Sequence, residues 1–300
     1  MGSADTGRHI GMIEATTMVD GIAAGDEAAT ETPETIAVEV QWSAVLEMAA
    51  SRMGLSVDRL GESLTVCSDG ETRVAFCGIA GNRSGQAAHT LCQSDGWLRR
   101  YLASRGIPTM DGEVVGLNSP NHAYDIAERL GFPLVARRPH REASPEAVAH
   151  DMDAFRRLWR RLQASSRRVG RDQVIVERAV DTRHLIAVAG DWVEVIPIDE
   201  ITAQGPAPNS DSATPRGDTA AVGRATDLAP RAVAVLPDLG YAMVRLAERA
   251  DGGNLATVVD GIDPAFGRWW RPSDAVAERI AAEVLRLEFG APSPQRNAHN

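Results

Sequence analysis

Leu130-Gly131-Phe132-Pro133-Leu134-Val135-Ala136-Arg137 and, further along, Val174-Ile175-Val176-Glu177-Arg178-Ala179-Val180 are the stretches whose reading decides the fold. Phe132–Arg137 is an apolar run ending on one cation, the mark of a buried strand, and Gln173–Arg178 reads as a second strand. The segment before the first run, Pro120–Leu130, sets Ala123, Ile126, Ala127 and Leu130 on one helical face, and Gly131 closes it. Between the runs, Ser144-Pro145-Glu146 reads as a helix start, with Ser as N-cap and Pro at the first helical position, and the helix extends to Ser165.

Outward from this centre the pattern stays mixed. Towards the N-terminus, one helix spans about Ser84 to Ser104 and stops at Arg105-Gly106-Ile107-Pro108. Ser63–Cys67 and Thr72–Cys77 alternate as short strands around Ser68-Asp69-Gly70, a hairpin signal because glycine tolerates positive φ. Trp42, Val45, Leu46, Ala49 and Met53 fall at helical spacing before Gly54. Order is expected from Ile36, and residues 1–35 read as an acidic tail. Towards the C-terminus come strands His184–Val188 and Trp192–Ile198, joined at Gly190-Asp191. Residues 199–232, rich in Pro, Gly, Ser, Asp and Thr, read as a long loop. Tyr241–Leu246 and a closing helix Ser273–Leu285 follow, with a tail over 291–300.

Composition bounds the function. With 44% hydrophobic and 24% charged residues over 300 positions, the chain can bury a sizeable core. No apolar run approaches a bilayer span, and the N-terminus has no basic region leading an apolar block, so the cytoplasm is the expected location. A net charge of −10 disfavours nucleic acid and anionic membranes as partners. The chain contains no lysine, so all 31 basic side chains are arginine, a pattern that a GC-rich coding bias alone would produce. Cys67, Cys77 and Cys92 form no C-x-x-C pair, and no H-E-x-x-H helix suggests zinc.

Five phrases then fall in a telling order. Asp95 opens a helix that ends in Arg105-Gly106-Ile107-Pro108-Thr109. The two strand phrases follow, and then Leu236–Leu246 and Gly252–Pro264. Together they resemble the ATP-grasp superfamily, in particular the branch of cyanophycin synthetase and the bifunctional glutathione synthetases, over about residues 91–290. The resemblance implies an α/β (α+β) fold of two α/β subdomains with a nucleotide cleft between them, hinged near 177–182. Residues 36–90 would add a small N-terminal α/β segment.

It also implies site residues for ATP and Mg2+. Arg137 takes the place of the strand lysine; the family's first lysine, after Asp95, is replaced by Gly96, and Arg100 aligns with a second basic residue one helical turn on. Glu177 would receive the adenine amino group, with Val180 in the hinge and either Arg183 or His184 at the following arginine position. Glu288 would be the first magnesium acid, with no strand after it to bring a second. The glycine-rich lid has no counterpart, since no glycine occurs between Phe132 and Val169 and Arg138–Ser144 stand in its place.

These departures frame the functional expectation: a relative of ATP-dependent carboxylate–amine ligases with a degraded catalytic site. If active, it would join a carboxylate to an amine through an acyl-phosphate. The alternative is a non-catalytic partner or scaffold for an intact ligase, with a homo-oligomer as another arrangement; a third reading has a partner chain complete the metal site. Two further features have plainer readings. The arginines at 156, 157, 160, 161, 167, 168 and 171 read as a solvated helix face, with Phe155 and Trp159 turned to the core. Trp269-Trp270 reads as core packing or a docking patch. Gly81-Asn82-Arg83-Ser84-Gly85 lacks the spacing of a nucleophile elbow.

Overall fold

The computed structural model describes residues 33–137, 148–166, 173–180, 183–196, 219–251, 254–267 and 274–290. The sequence expectations for the N-terminal tail before Pro33, the lid segment 138–147, Asp181, the loop before Thr219, Trp269-Trp270 and the tail after Gly290 lie outside the described residues.

Helix α1 (Pro33–Arg52) begins three residues before the expected start of order. It buries Trp42, Val45, Leu46 and Ala49, the stripe its spacing predicts. An antiparallel sheet of β1 (Ser56–Arg59), β2 (Leu64–Ser68) and β3 (Arg73–Cys77) follows, in that order. The β2–β3 turn is pinned by Asp69, whose Oδ1 accepts from the backbone N–H groups of Glu71 (2.9 Å) and Thr72 (2.7 Å), with Gly70 at φ 99°.

The expected helix over 84–104 is two helices, α2 (Gln86–Gln93) and α3 (Asp95–Ser104). The chain is extended at Ser94, whose hydroxyl caps α3 by accepting from Trp97 N–H at 3.4 Å.

The smaller lobe is an antiparallel sheet ordered β4 (Gly112–Gly116), β7 (Gln173–Arg178), β5 (Leu134–Arg137) and β6 (Val148–Ala149). Helices α4 (Pro120–Leu130) and α5 (Met152–Ser166) cover one face of it. Helix α5 starts at Met152, later than expected, because β6 takes up Val148–Ala149; Asp151 meets its first turn, Oδ1 accepting from Ala154 N–H at 2.7 Å. Phe155, Leu158, Trp159 and Leu162 are buried in this core, while Arg156, Arg157, Arg160 and Arg161 are exposed, as the helical phase predicts.

The larger lobe is an antiparallel sheet ordered β11 (Asn254–Asp263), β10 (Tyr241–Asp251), β8 (Arg183–Ala189) and β9 (Trp192–Ile196). Ile186, Val188, Ala242 and Val244 face α6 (Thr219–Ala234), and Leu185, Ala187, Tyr241 and Met243 face α7 (Asp274–Phe289) and α1. Helix α6 corrects the reading of 199–232 as loop. It buries Ala221, Ala225, Leu228, Ala229, Ala232 and Val233 along one stripe and tolerates Pro230 inside it. The N-terminal sheet shares the core of α7 and the larger sheet, so residues 36–90 pack onto this lobe rather than standing apart.

Candidate functional site at the junction of the lobes

The chain crosses between lobes at the end of α3. Val259 N–H donates to Pro108 O (2.8 Å) and Met110 N–H to Val259 O (3.3 Å), tying the crossing to β11. The ion pair Arg249 Nη1–Asp111 Oδ1 at 2.6 Å adds a second tie. Val180 packs against a small cluster of Met110, Ala247 and Val258.

Beside this crossing lies a buried ionic quartet. Arg137, at the end of β5, is only 8% exposed, and each guanidinium nitrogen faces a carboxylate. Nε donates to Glu177 Oε1 at 2.7 Å, Nη2 reaches Glu177 Oε2 at 3.5 Å, and Nη1 donates to Asp95 Oδ2. Arg99 donates through Nη2 to the other Glu177 oxygen. Glu177 is 4% and Asp95 2% exposed. Burial opposes the Arg137 charge, but Glu177, Asp95 and the nearby Asp260 more than offset it, so the guanidinium is held firmly protonated.

Two glycines make room. A Cβ on Gly112 would come within 2.8 Å of Val176 O, Glu177 Cβ and Arg99 Nη1, so the chain passes here only without a side chain. A Cβ on Gly96 would meet Val114 Cγ2 at 2.7 Å, so the position expected to hold a cation has no space for one in this packing.

A second ion pair sits on the larger sheet. The β10–β11 ladder slips between Arg245 and Leu246, leaving Asp260 as the extra residue. Arg245 Nε lies 2.6 Å from Asp260 Oδ2, with the Asp260 side chain 2% exposed. Beyond it, on the α6 face, Arg224 bonds Glu248 (2.9 Å) and Thr257 (3.2 Å), and Thr257 donates to Glu248 at 2.5 Å.

The predicted residues therefore scatter. Arg137 and Glu177 meet in the quartet. Arg100 is exposed on the other side of α3, and its neighbour Arg99 takes the inward place. Helical phase could have shown this, because Arg99 falls one turn after the buried Asp95 while Arg100 does not. Arg183 pairs through its backbone with Ala247. His184 is buried next to the Arg224–Glu248 pair, with its Nε2 unpartnered, and burial holds its pKa below the ordinary 6.5. Glu288 lies in the last turn of α7, where Oε1 accepts from Tyr241 Oη–H (3.0 Å) and Arg83 N–H (2.7 Å). Among the described residues no group of three or more His, Cys, Asp or Glu side chains is arranged to hold a metal. Arg245 and Asp260 lie within Leu236–Leu246 and Gly252–Pro264, but their pairing depends on the bulge, which no spacing announces.

The two-lobed α/β architecture is that of the ATP-grasp fold. The ADP complex of N5-carboxyaminoimidazole ribonucleotide synthetase aligns with TM-score 0.50 at 13% identity, covering 70% of this chain and 55% of that one. The RimK domain ATP-grasp protein of Sphaerobacter thermophilus aligns with TM-score 0.46 at 20% identity, covering 68% and 69%. D-alanine–D-alanine ligase of Bacillus anthracis, complexed with ATP, gives 0.49 at 15%, covering 69% and 68%. At 13% identity the first of these likenesses speaks for fold alone. No family model and no curated protein matches the sequence. No described helix is long and apolar enough to cross a membrane.

Proposed function

We propose that this chain is a relative of the ATP-dependent carboxylate–amine ligases, the cyanophycin and glutathione synthetase branch included, that no longer runs their chemistry and serves as a non-catalytic partner of an intact ligase. The observation that carries this reading is Arg137. Its nitrogens already face Asp95 and Glu177, so none is left over for a phosphate oxygen. The quartet holds two arginines and two carboxylates and offers a triphosphate no net positive charge. Glu177, expected to meet adenine, is committed to Arg99 and Arg137.

Magnesium fits the described residues no better. Magnesium prefers an octahedral shell of oxygens, and a divalent ion on the buried Asp260 would meet the Arg245 guanidinium at once. Glu288 is engaged by Tyr241 and a backbone N–H. No catalytic step is therefore assigned to Mg–ATP here.

One feature favours the other reading, an active ligase. Arg99 keeps Nε and Nη1 buried without a partner, two donors that an anionic group could satisfy. Release of ADP separates the two. The chain is incubated with ATP, Mg2+ and mixtures of carboxylates and amines. The partner reading expects no substrate-dependent ADP. Turnover that disappears in Arg99→Met would establish the ligase instead.

A further inference from the structure

We propose that Ser84 and His89 form a second chemical site, a histidine-activated serine that takes the acyl group of an activated ester. Ser84 Oγ lies 2.7 Å from His89 Nε2. Both residues are half-buried, so a small substrate can reach the hydroxyl and its partner.

The serine is held on all sides. Gly81 N–H donates to Tyr241 Oη (2.6 Å) and Arg83 N–H to Glu288 Oε1 (2.7 Å). Gly85 N–H reaches Asp238 O (2.9 Å), Gly240 N–H reaches Arg83 O (2.7 Å), and Ser84 itself bridges to Leu239. Such fixation is what a nucleophile needs, since its reach is then set before substrate arrives. The hydroxyl is also not consumed by helix capping. The N-cap of α2 is Gly85, which provides no side-chain bond, and the serine stands one residue outside it.

The histidine suits the role of base. It stands one turn into α2, between the buried Ala88 and the core residue Cys92, and its backbone N–H donates to Gly85 O at 3.0 Å. Burial lowers its pKa, so the ring is neutral at pH 7 and Nε2 can accept the hydroxyl hydrogen. The negative charge of Asp263, a 5% exposed residue at the end of β11, opposes that shift and favours the imidazolium that forms during reaction. The sequence hid this pair because the five-residue gap matches no elbow motif. It forms where the loop turns into α2.

The step balances without any cofactor. Ser84 Oγ adds to the ester carbonyl carbon while its proton passes to His89 Nε2. The bond from carbon to the leaving oxygen breaks, and the imidazolium returns the proton to that oxygen, leaving acyl-Ser84. Water then adds to the acyl carbon and gives a proton to His89. Ser84 departs with that proton, and the carboxylic acid is released. Activated esters, such as aryl esters, are the fitting class because their leaving oxygen needs little help.

The full-length chain is incubated with a fluorophosphonate probe, and the adduct is mapped by peptide mass spectrometry. The expected result is a single adduct on Ser84, formed about 100-fold more slowly in His89→Gln. p-Nitrophenyl acetate should be hydrolysed by the wild type and not by Ser84→Ala. An unmodified wild-type chain whose circular dichroism shows it folded, an adduct elsewhere, or a folded His89→Gln chain labelled at the wild-type rate would each overturn the proposal.

Discussion

Arg137 Nε donates to Glu177 Oε1 across 2.7 Å, diagonally over a ladder in which Glu177 lies opposite Val135. This bond joins the two stretches that define the fold. It also ties up both charges that the family resemblance assigns to a nucleotide.

Removing the cation should be costly. Arg137→Met leaves Asp95 and Glu177 buried with only Arg99 between them, and a loss of about 3–5 kcal/mol in urea unfolding is expected. Arg100→Met, on the exposed side of the same helix, should leave the urea midpoint where it is.

Gly112→Ala tests the close approach. The added Cβ meets backbone as well as side chain at 2.8 Å, so the strands must separate, at about 1–3 kcal/mol by the same assay.

The buried His184 and the half-buried His89 give the stability a pH dependence of definite sign. Burial lowers the pKa of His184 and of His89 below 6.5. The unfolded chain therefore takes protons first. Stability is full above pH 6.5, falls as the pH drops below it, and the loss is complete once the folded-state pKa values are passed. For His184, Glu248 opposes the shift and Arg224 adds to it. The urea midpoint should fall between pH 7.5 and 5, and less steeply in His184→Asn.

Glu288 offers a choice between a clasp and a metal ligand. As a clasp it holds Arg83 N–H and Tyr241 Oη–H, so Glu288→Ala should speed hydrogen exchange at Arg83 and Gly81 whether or not magnesium is present. A magnesium-dependent protection of wild type, absent in the variant, would restore the metal role.

Much of the fold was readable because its central elements carry unbroken patterns. Pro120–Leu130 and Gln173–Arg178 have the bounds their sequence suggests. Helix α6 was lost to composition: Gly223, Thr226 and Pro230 made 199–232 look like loop, although Ala221, Ala225, Leu228 and Ala232 repeat at helical spacing. The site was harder to read. Position in a motif pointed to Arg137 and Glu177, but their use as each other's partners depends on Asp95 and Arg99 arriving from another element.

Isothermal titration of the full-length chain with ATP and Mg2+ tests the central claim most directly. No binding heat is expected, because Arg137 stays with Asp95 and Glu177. A 1:1 isotherm with micromolar affinity, abolished by Arg137→Met in a folded chain, would contradict it.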